Sequence, residues 1–145
     1  MMLLDCELFN HLPSSDMRAV ARYFGCDRFG EGETIFEEGD GGTFMCVVHE
    51  GCVSVIKSNQ DEHGVMMATE GPGHVIGEMA VLDGEQRSAT CVAASDCVLL
   101  TLSKAAMDTM LEEQPRVGAQ ILRAIAVSLS RRMRMAAGKL VDHAE

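Results

Sequence analysis

The sequence predicts an α+β fold in the order helix, β body, two helices, and three observations predict it. Apolar residues recur at three- and four-residue spacing only towards the ends, as in Met17, Val20, Ala21 and Phe24 early and Ile121, Ile125 and Leu129 late. Between 26 and 102, short apolar runs are split by Gly and acidic turns. A spacing of about ten residues with such turns is that of a sandwich, jelly roll or barrel. The size also fits, since 145 residues at 47% hydrophobic and 23% charged content suffice for one domain with a real core. That excludes two full domains and intrinsic disorder.

Each element follows in order. Residues 1–25 form an N-terminal helical segment, with Ser14 or Ser15 as its cap after Pro13 and Gly25 as its stop. The β body spans 26–102. Its strands are expected at Thr34–Phe36, Phe44–Val48, Cys52–Ile56, Val65–Ala68, Ala89–Val92 and Cys97–Leu102. Turns separate them at Glu38–Gly42, Glu50-Gly51, Ser58–Asp61 and Gly71-Pro72-Gly73. The segment 103–145 is again helical. Ser103 caps a helix through Ala105, Ala106, Met107, Met110 and Leu111, and Pro115 sits near the start of the next. That last helix runs from Val117 to Leu140, and its apolar stripe of Ile121, Leu122, Ile125, Leu129 and Met133 needs a cover. The β body or a second copy of the chain would serve. Pro115, between the two helices, reads as a hinge.

Composition removes several functions. The net charge is −10 and the pI about 4.9, against the basic face a general nucleic-acid binder needs. The charge is uneven: 116–145 carries six Lys/Arg and two acids, +4, which leaves −14 on 1–115. The basic run Arg131-Arg132-Met133-Arg134 reads as a solvated helix face or a contact for an acidic partner. Six Cys show no C-x-x-C, which disfavours zinc ribbons and iron–sulfur loops. Cys91 and Cys97, six apart in strands, read as core residues on one face. The N-terminus lacks a secretory pattern and no 18-residue apolar run exists, so a reducing cytoplasm and no membrane span are expected. Five His include no H-x-H, which opposes a cupin-type metal enzyme; His74 reads as a loop residue and no metal is expected. No catalytic dyad or triad is visible, and the reading is not an enzyme.

One stretch carries chemistry: Gly73-His74-Val75-Ile76-Gly77-Glu78-Met79-Ala80-Val81-Leu82-Asp83-Gly84-Glu85-Gln86-Arg87-Ser88-Ala89. Its glycines allow close backbone approach to a ligand. Residues 78–82 could form one helical turn, whose first N–H groups suit an anion. Arg87 is the only Lys or Arg between Lys57 and Lys104, and a guanidinium there suits a phosphate. Glu78 could accept from sugar hydroxyls. The alternative is a Glu–Arg surface ion pair on a turn, worth little.

The segment 76–89 resembles the phosphate-binding cassette of cyclic nucleotide-binding domains, F-G-E-x-A-L-x-x-x-x-P-R-x-A, without a gap. Ile76 replaces Phe, Val81 replaces Leu and Gln86 replaces Pro. Upstream, Gly32–Asp40 resembles the family's G-E-x-I-F-x-E-G-D run, Phe44–Val55 its next hairpin, and Leu8–Pro13 its helical opening. The chain is thereby identified as a sensor domain of the type found in catabolite activator proteins and protein kinase A regulatory subunits, with a bacterial look.

The resemblance implies an eight-stranded β jelly roll with the N-terminal helical segment and two C-terminal helices, all within one domain, 1–145. It implies that Glu78 accepts the ribose 2′-hydroxyl and Arg87 pairs with the cyclic phosphate. Backbone N–H groups near Ala80 and Ser88 would complete the cradle beside Gly77, Met79 and Ala89. Arg132 or Arg134 would reach the base. A register that matches the activators' Arg pair to Arg131-Arg132 puts Ala136 and Ala137 where those proteins carry hydroxyls. The ligand would be cyclic AMP or cyclic GMP, signalled through the last helix, with a homodimer through that helix or a regulated protein as partner. The chain ends about where the activators' DNA-binding domain would begin, so no direct nucleic-acid contact is expected. The rival readings are a degenerate fold that serves as an interaction module without ligand, and the cupin.

Overall fold

In the computed structural model, residues 8–9, 12–58 and 64–144 are described, with side chains up to 135. Eight strands form two antiparallel four-stranded sheets. They are β1 (Gly25–Phe29), β2 (Thr34–Phe36), β3 (Phe44–Glu50), β4 (Val53–Ser58), β5 (Gly64–Glu70), β6 (Val75–Ile76), β7 (Thr90–Ala93) and β8 (Cys97–Ser103). One sheet has the order β1-β8-β3-β6 and the other β2-β7-β4-β5. Helix α1 (Ser14–Ala21) precedes the strands, the short α2 (Met79–Asp83) lies between β6 and β7, and α3 (Lys104–Glu113) and α4 (Pro115–Ala144) follow. This is the eight-stranded jelly roll with flanking helices that the sequence leads one to expect.

Two cores explain why β3 and β8 read as unbroken apolar runs. Met45, Val47, Leu100 and Leu102 face the helices and pack with Phe9, Met17, Val20, Met107, Met110, Val117, Ile121 and Ile125. Cys46, Val48, Cys97 and Leu99 face the other way, into the sandwich, against Phe36, Val53, Ile76, Cys91 and Ala93. Strands covered on both faces lose the apolar–polar alternation. Cys91 and Cys97 are core residues as expected, but for a different reason. They lie in β7 and β8, in opposite sheets, and both belong to the sandwich core.

Local punctuation is partly as expected. Ser103 caps α3, its hydroxyl accepting from Ala106 N–H at 3.0 Å, and Pro115 opens α4. Three expectations fail. The cap position of α1 is Pro13 and makes no side-chain bond, so Ser14 and Ser15 are inside the first turn. Helix α1 ends at Ala21, and Gly25 starts β1 instead of stopping a helix. The Pro115 joint is not loose: Tyr23 O–H donates to Glu113 at 2.6 Å on one side of it. On the other side the Arg116 guanidinium donates to both Asp16 oxygens, at 2.8 and 3.1 Å. The α1 region therefore clamps the joint where a hinge was expected.

Helix α4 packs on the body through Val117, Gly118, Ile121, Ile125 and the buried Ser128, keeps Leu129 and Arg132 half-buried, and is exposed at Ala126, Val127, Ser130, Arg131 and Met133–Met135. Of the predicted stripe, Ile121 and Ile125 are fully buried while Met133 is 64% exposed. Residues 59–61 of the predicted turn at Ser58–Asp61, residues 10 and 11 of the N-terminal opening, and the side chains of Ala136 and Ala137 fall outside the described residues. No helix among the described residues is long and apolar enough to cross a membrane.

Candidate functional site

The loop after β6 turns sharply at Gly77 (φ +71°), runs through α2, and reverses at Gly84, which caps α2 in the left-handed conformation. Residues 85–89 then return towards β7. Their bed is the acidic turn after β2. There Gly39 N–H donates to Arg87 C=O at 2.9 Å, Arg87 N–H to Asp40 C=O at 2.7 Å and Gly42 N–H to Glu85 C=O at 3.2 Å. A Cβ at Gly42 would stand 2.6 Å from Glu85 O, so this close approach requires glycine. The run read from sequence as a mere turn thus fixes the backbone of the cassette.

Arg87 is buried, 6% exposed. Its guanidinium packs in the corner of two rings set edge to face, 3.8 Å from the Phe36 centroid and 4.7 Å from that of Phe44. Its Nη2 donates to Phe44 C=O at 2.6 Å and its Nη1 to Gly77 C=O at 3.3 Å. A Cβ at Gly77 would come within 2.5 Å of Nη1, so glycine is required there too. No carboxylate forms an ion pair with Arg87 among the described residues, and its buried Nε has no hydrogen-bond partner. Burial lowers its pKa from the ordinary arginine value. An arginine nevertheless stays charged in proteins. Carbonyls and rings fix the position of this buried cation, and among the described residues no carboxylate touches it, Asp40 acting on it only through space.

Glu78 is buried as well, at 4% exposure. The surface Glu–Arg pair considered from sequence is absent, because the partner of Glu78 comes from α4. Arg132 Nη1 donates to Glu78 Oε1 at 2.6 Å, and its Nη2 donates to Val75 C=O. Arg132 Nη2 also lies 4.0 Å from Glu70 Oε2, which pairs with His74 Nδ1 at 2.6 Å.

Between these two poles lies a cavity of about 290 Å³. It is lined by the cassette, by Phe36, Val55, Ile76 and Cys91 of the β body, and by Leu129, Arg132 and Met133 of α4. Phe36, Ile76 and Cys91 also belong to the sandwich core, so the cavity is that core opened at one end. Its volume is at the lower edge of small-molecule sites, roughly 300–1,000 Å³. Burial pushes the thiols of Cys46 and Cys91 up to about 12.

A family model described as the cyclic nucleotide-binding domain matches residues 26–114. The chain belongs to the cyclic nucleotide-binding domain family. It is 31% identical over 129 residues to the cyclic AMP receptor protein of Thermus thermophilus, which covers 89% of this chain and 58% of that protein. It is 34% identical over 97 residues to a cAMP-dependent protein kinase regulatory subunit of Yarrowia lipolytica, covering 67% of the chain and 24% of the relative. A cyclic nucleotide-binding domain from Methylobacillus flagellatus superposes with a TM-score of 0.88 at 27% identity, over 98% of this chain and 80% of that one. The chain thus spans little more than half the length of the first of these curated relatives and about a quarter of the second.

Within this family fold, Gly77, Glu78, Met79, Ala80, Arg87, Ser88 and Ala89 all line the cavity, as does Arg132. Arg134 does not. It lies with Leu82, Ala126, Leu129, Ser130 and Met133 on a separate shallow groove, because α4 turns it away from the cavity. The Ala80 N–H is engaged in a turn bond to Gly77 C=O at 3.1 Å, so it is not a free donor. Sequence reasoning missed Phe44 and the role of Phe36. The signal was faint: two of only five Phe, at the ends of strands that flank the acidic turn. It also missed the attachment of Arg132 to Glu78.

Proposed function

We propose that this cavity binds a 3′,5′-cyclic purine nucleotide, cyclic AMP in preference to cyclic GMP, and that the chain is a regulatory sensor that reports binding through α4. Arg87 carries the reading. A guanidinium that is buried, aligned by two rings and two carbonyls, and lacking both a carboxylate and a partner for Nε calls for an anion. A cyclic phosphate supplies one negative charge and two oxygens for charge-assisted hydrogen bonds. Glu78 then faces the ribose hydroxyl, and the apolar lining of Val55, Cys91, Leu129 and Met133 receives the purine. The preference for cyclic AMP draws on the named ligands of the two curated relatives. Ser88, on the cavity wall, supplies a hydroxyl that could reach a guanine amino group, so Ser88→Ala weakens cyclic GMP more than cyclic AMP.

Signal transfer follows from the same lining. With the Pro115 joint clamped and Ser128 buried on the body, the part of α4 left to respond begins at Leu129. A purine beneath Leu129 and Met133 gives that half apolar contacts it otherwise lacks, and so shifts its population towards the body. Calorimetric titration with cyclic AMP and cyclic GMP tests the proposal. Saturable one-to-one binding supports it, and no heat with either nucleotide favours a degenerate domain that acts only through protein contacts.

A further inference from the structure

Strand β4 does not end where its ladder with β7 does. The register runs from Val53↔Ala93 to Ile56↔Thr90, and β7 begins at Thr90. Lys57 and Ser58 therefore continue past it, beside the last residues of the cassette. Side chains alternate along a strand. Val53 belongs to the sandwich core and Val55 lines the cavity, so Lys57 leaves the strand on that same face, at the cavity's rim. Its ammonium donates to Ser88 C=O at 3.2 Å. No carboxylate pairs with Lys57 among the described residues, whereas Lys104 has Asp108 at 3.4 Å. Residues 1–115 carry twenty acids and six Lys/Arg. Two of those six, Arg87 and Lys57, are brought to adjacent residues of the cassette without a carboxylate partner.

We infer that Lys57 is a positioning residue for the ligand's phosphate: it holds the Ser88 carbonyl and so sets the Ser88–Ala89 peptide on the cavity wall. This rests on the reading of the cavity as a cyclic nucleotide site. Ser88 and Ala89 both line it. A carbonyl oxygen is the negative end of its peptide dipole, and one turned into the cavity next to Arg87 would oppose an anion there. The ammonium draws that oxygen to the rim instead. A trans peptide is planar, with its N–H opposite its C=O. Fixing Ser88 C=O towards Lys57 therefore also fixes the Ala89 N–H, pointing away from Lys57. Arg87 is aligned by Phe44 C=O and Gly77 C=O. Ser88 is exposed and lies beyond the β4–β7 ladder, and Lys57 does for it what those two carbonyls do for Arg87.

The experiment is calorimetric titration with cyclic AMP and, in parallel, cyclic GMP, at low and at high salt. The proteins are the unaltered chain, Lys57→Met, which keeps an unbranched stem without the charge, and Lys57→Arg, which keeps a charged donor. Lys57→Met should weaken binding about fivefold and Lys57→Arg less than about twofold. The loss in Lys57→Met should persist at high salt, because a contact at hydrogen-bond distance is screened less than a charge acting from afar. In ligand-free Lys57→Met the Ser88 carbonyl-carbon and Ala89 amide resonances should shift, with the melting temperature unchanged. Equal binding by Lys57→Met and the unaltered chain overturns the inference, as do unshifted resonances. A loss that Lys57→Arg shares, or that comes with a lower melting temperature, makes Lys57 a structural residue of β4 and also overturns it. A loss that vanishes at high salt makes Lys57 a distant charge, with the same consequence. Absence of binding by the unaltered chain overturns the nucleotide reading itself, a result distinct from all of these, in which the unaltered chain binds.

Discussion

The two poles of the cavity are built differently. The Arg87 pole is made by the β body alone: rings from β2 and β3, a carbonyl from each side, and the acidic turn beneath. The Glu78 pole is completed from a distance of 54 residues, by Arg132 of α4. The first is preformed and indifferent to where α4 lies. The second is built in part by α4, so a ligand that binds there touches the helix's own contact. A sensor needs both, one site that binds and one that is shared with the moving part.

Substitutions should break this contrast in order of size. Arg87→Ala removes a buried, charge-assisted contact and should cost about 2–5 kcal/mol of nucleotide binding, measured by calorimetry. It also removes two hydrogen bonds and the guanidinium's contacts with the Phe36 and Phe44 rings, so the ligand-free melting temperature should fall. Exchange in α4 should stay as it was, because that pole does not touch the helix. Glu78→Gln should cost less binding, about 1–2 kcal/mol, since the hydroxyl keeps a neutral acceptor. Its distinctive effect should be faster amide exchange at 129–135 without ligand, because the pair with Arg132 is lost. If Arg87→Ala loosens α4 as much as Glu78→Gln does, the two poles are not independent.

How far the sequence revealed this contrast depends on periodicity and distance. The preformed pole was legible because it is contiguous: 76–89 and the run Gly32–Asp40 carry their own spacing. Ser103 and Pro115 were legible for the same reason, since capping and proline chemistry are local. Strand β1 was not, because Gly25–Phe29 is mostly exposed and polar, without apolar alternation. Strand β6 is two residues long, too short for any period to register. The shared pole was half legible. Arg132 was a candidate, but its partner depends on which way α4 faces where it passes β6. The equal candidacy of Arg134 shows that a basic run cannot reveal its own orientation. The clamp at Pro115 was hidden for the same reason, since Asp16 and Arg116 are 100 residues apart.

Smaller effects sharpen the picture of a rigid body and a responsive helix end. Burial raises the thiols of Cys46 and Cys91 to about 12 from the ordinary range near 9. A raised acid stabilises the fold fully below its unfolded value and loses that contribution as pH climbs from about 9 towards 12. Thermal stability should therefore decline over that alkaline window. At pH 8 an alkylating reagent should modify the exposed Cys26 at least about a hundredfold faster than Cys46 or Cys91. The hydrogen bonds from Arg116 hold the Asp16 carboxyl below its usual value. Its contribution is therefore present above the ordinary carboxylate range and lost as pH falls through the lowered value. Asp16→Asn should lower the melting temperature slightly at pH 7 and leave nucleotide affinity nearly unchanged, as the clamp touches neither pole.

Amide hydrogen exchange of the unaltered chain, with and without saturating cyclic AMP, tests the central claim most directly. The account predicts slower exchange in two separated stretches, 77–89 where the phosphate is held and 129–135 where α4 covers the purine, with 115–128 unchanged behind its clamp. Protection confined to 77–89 would contradict it, leaving a nucleotide site with no connection to the helix.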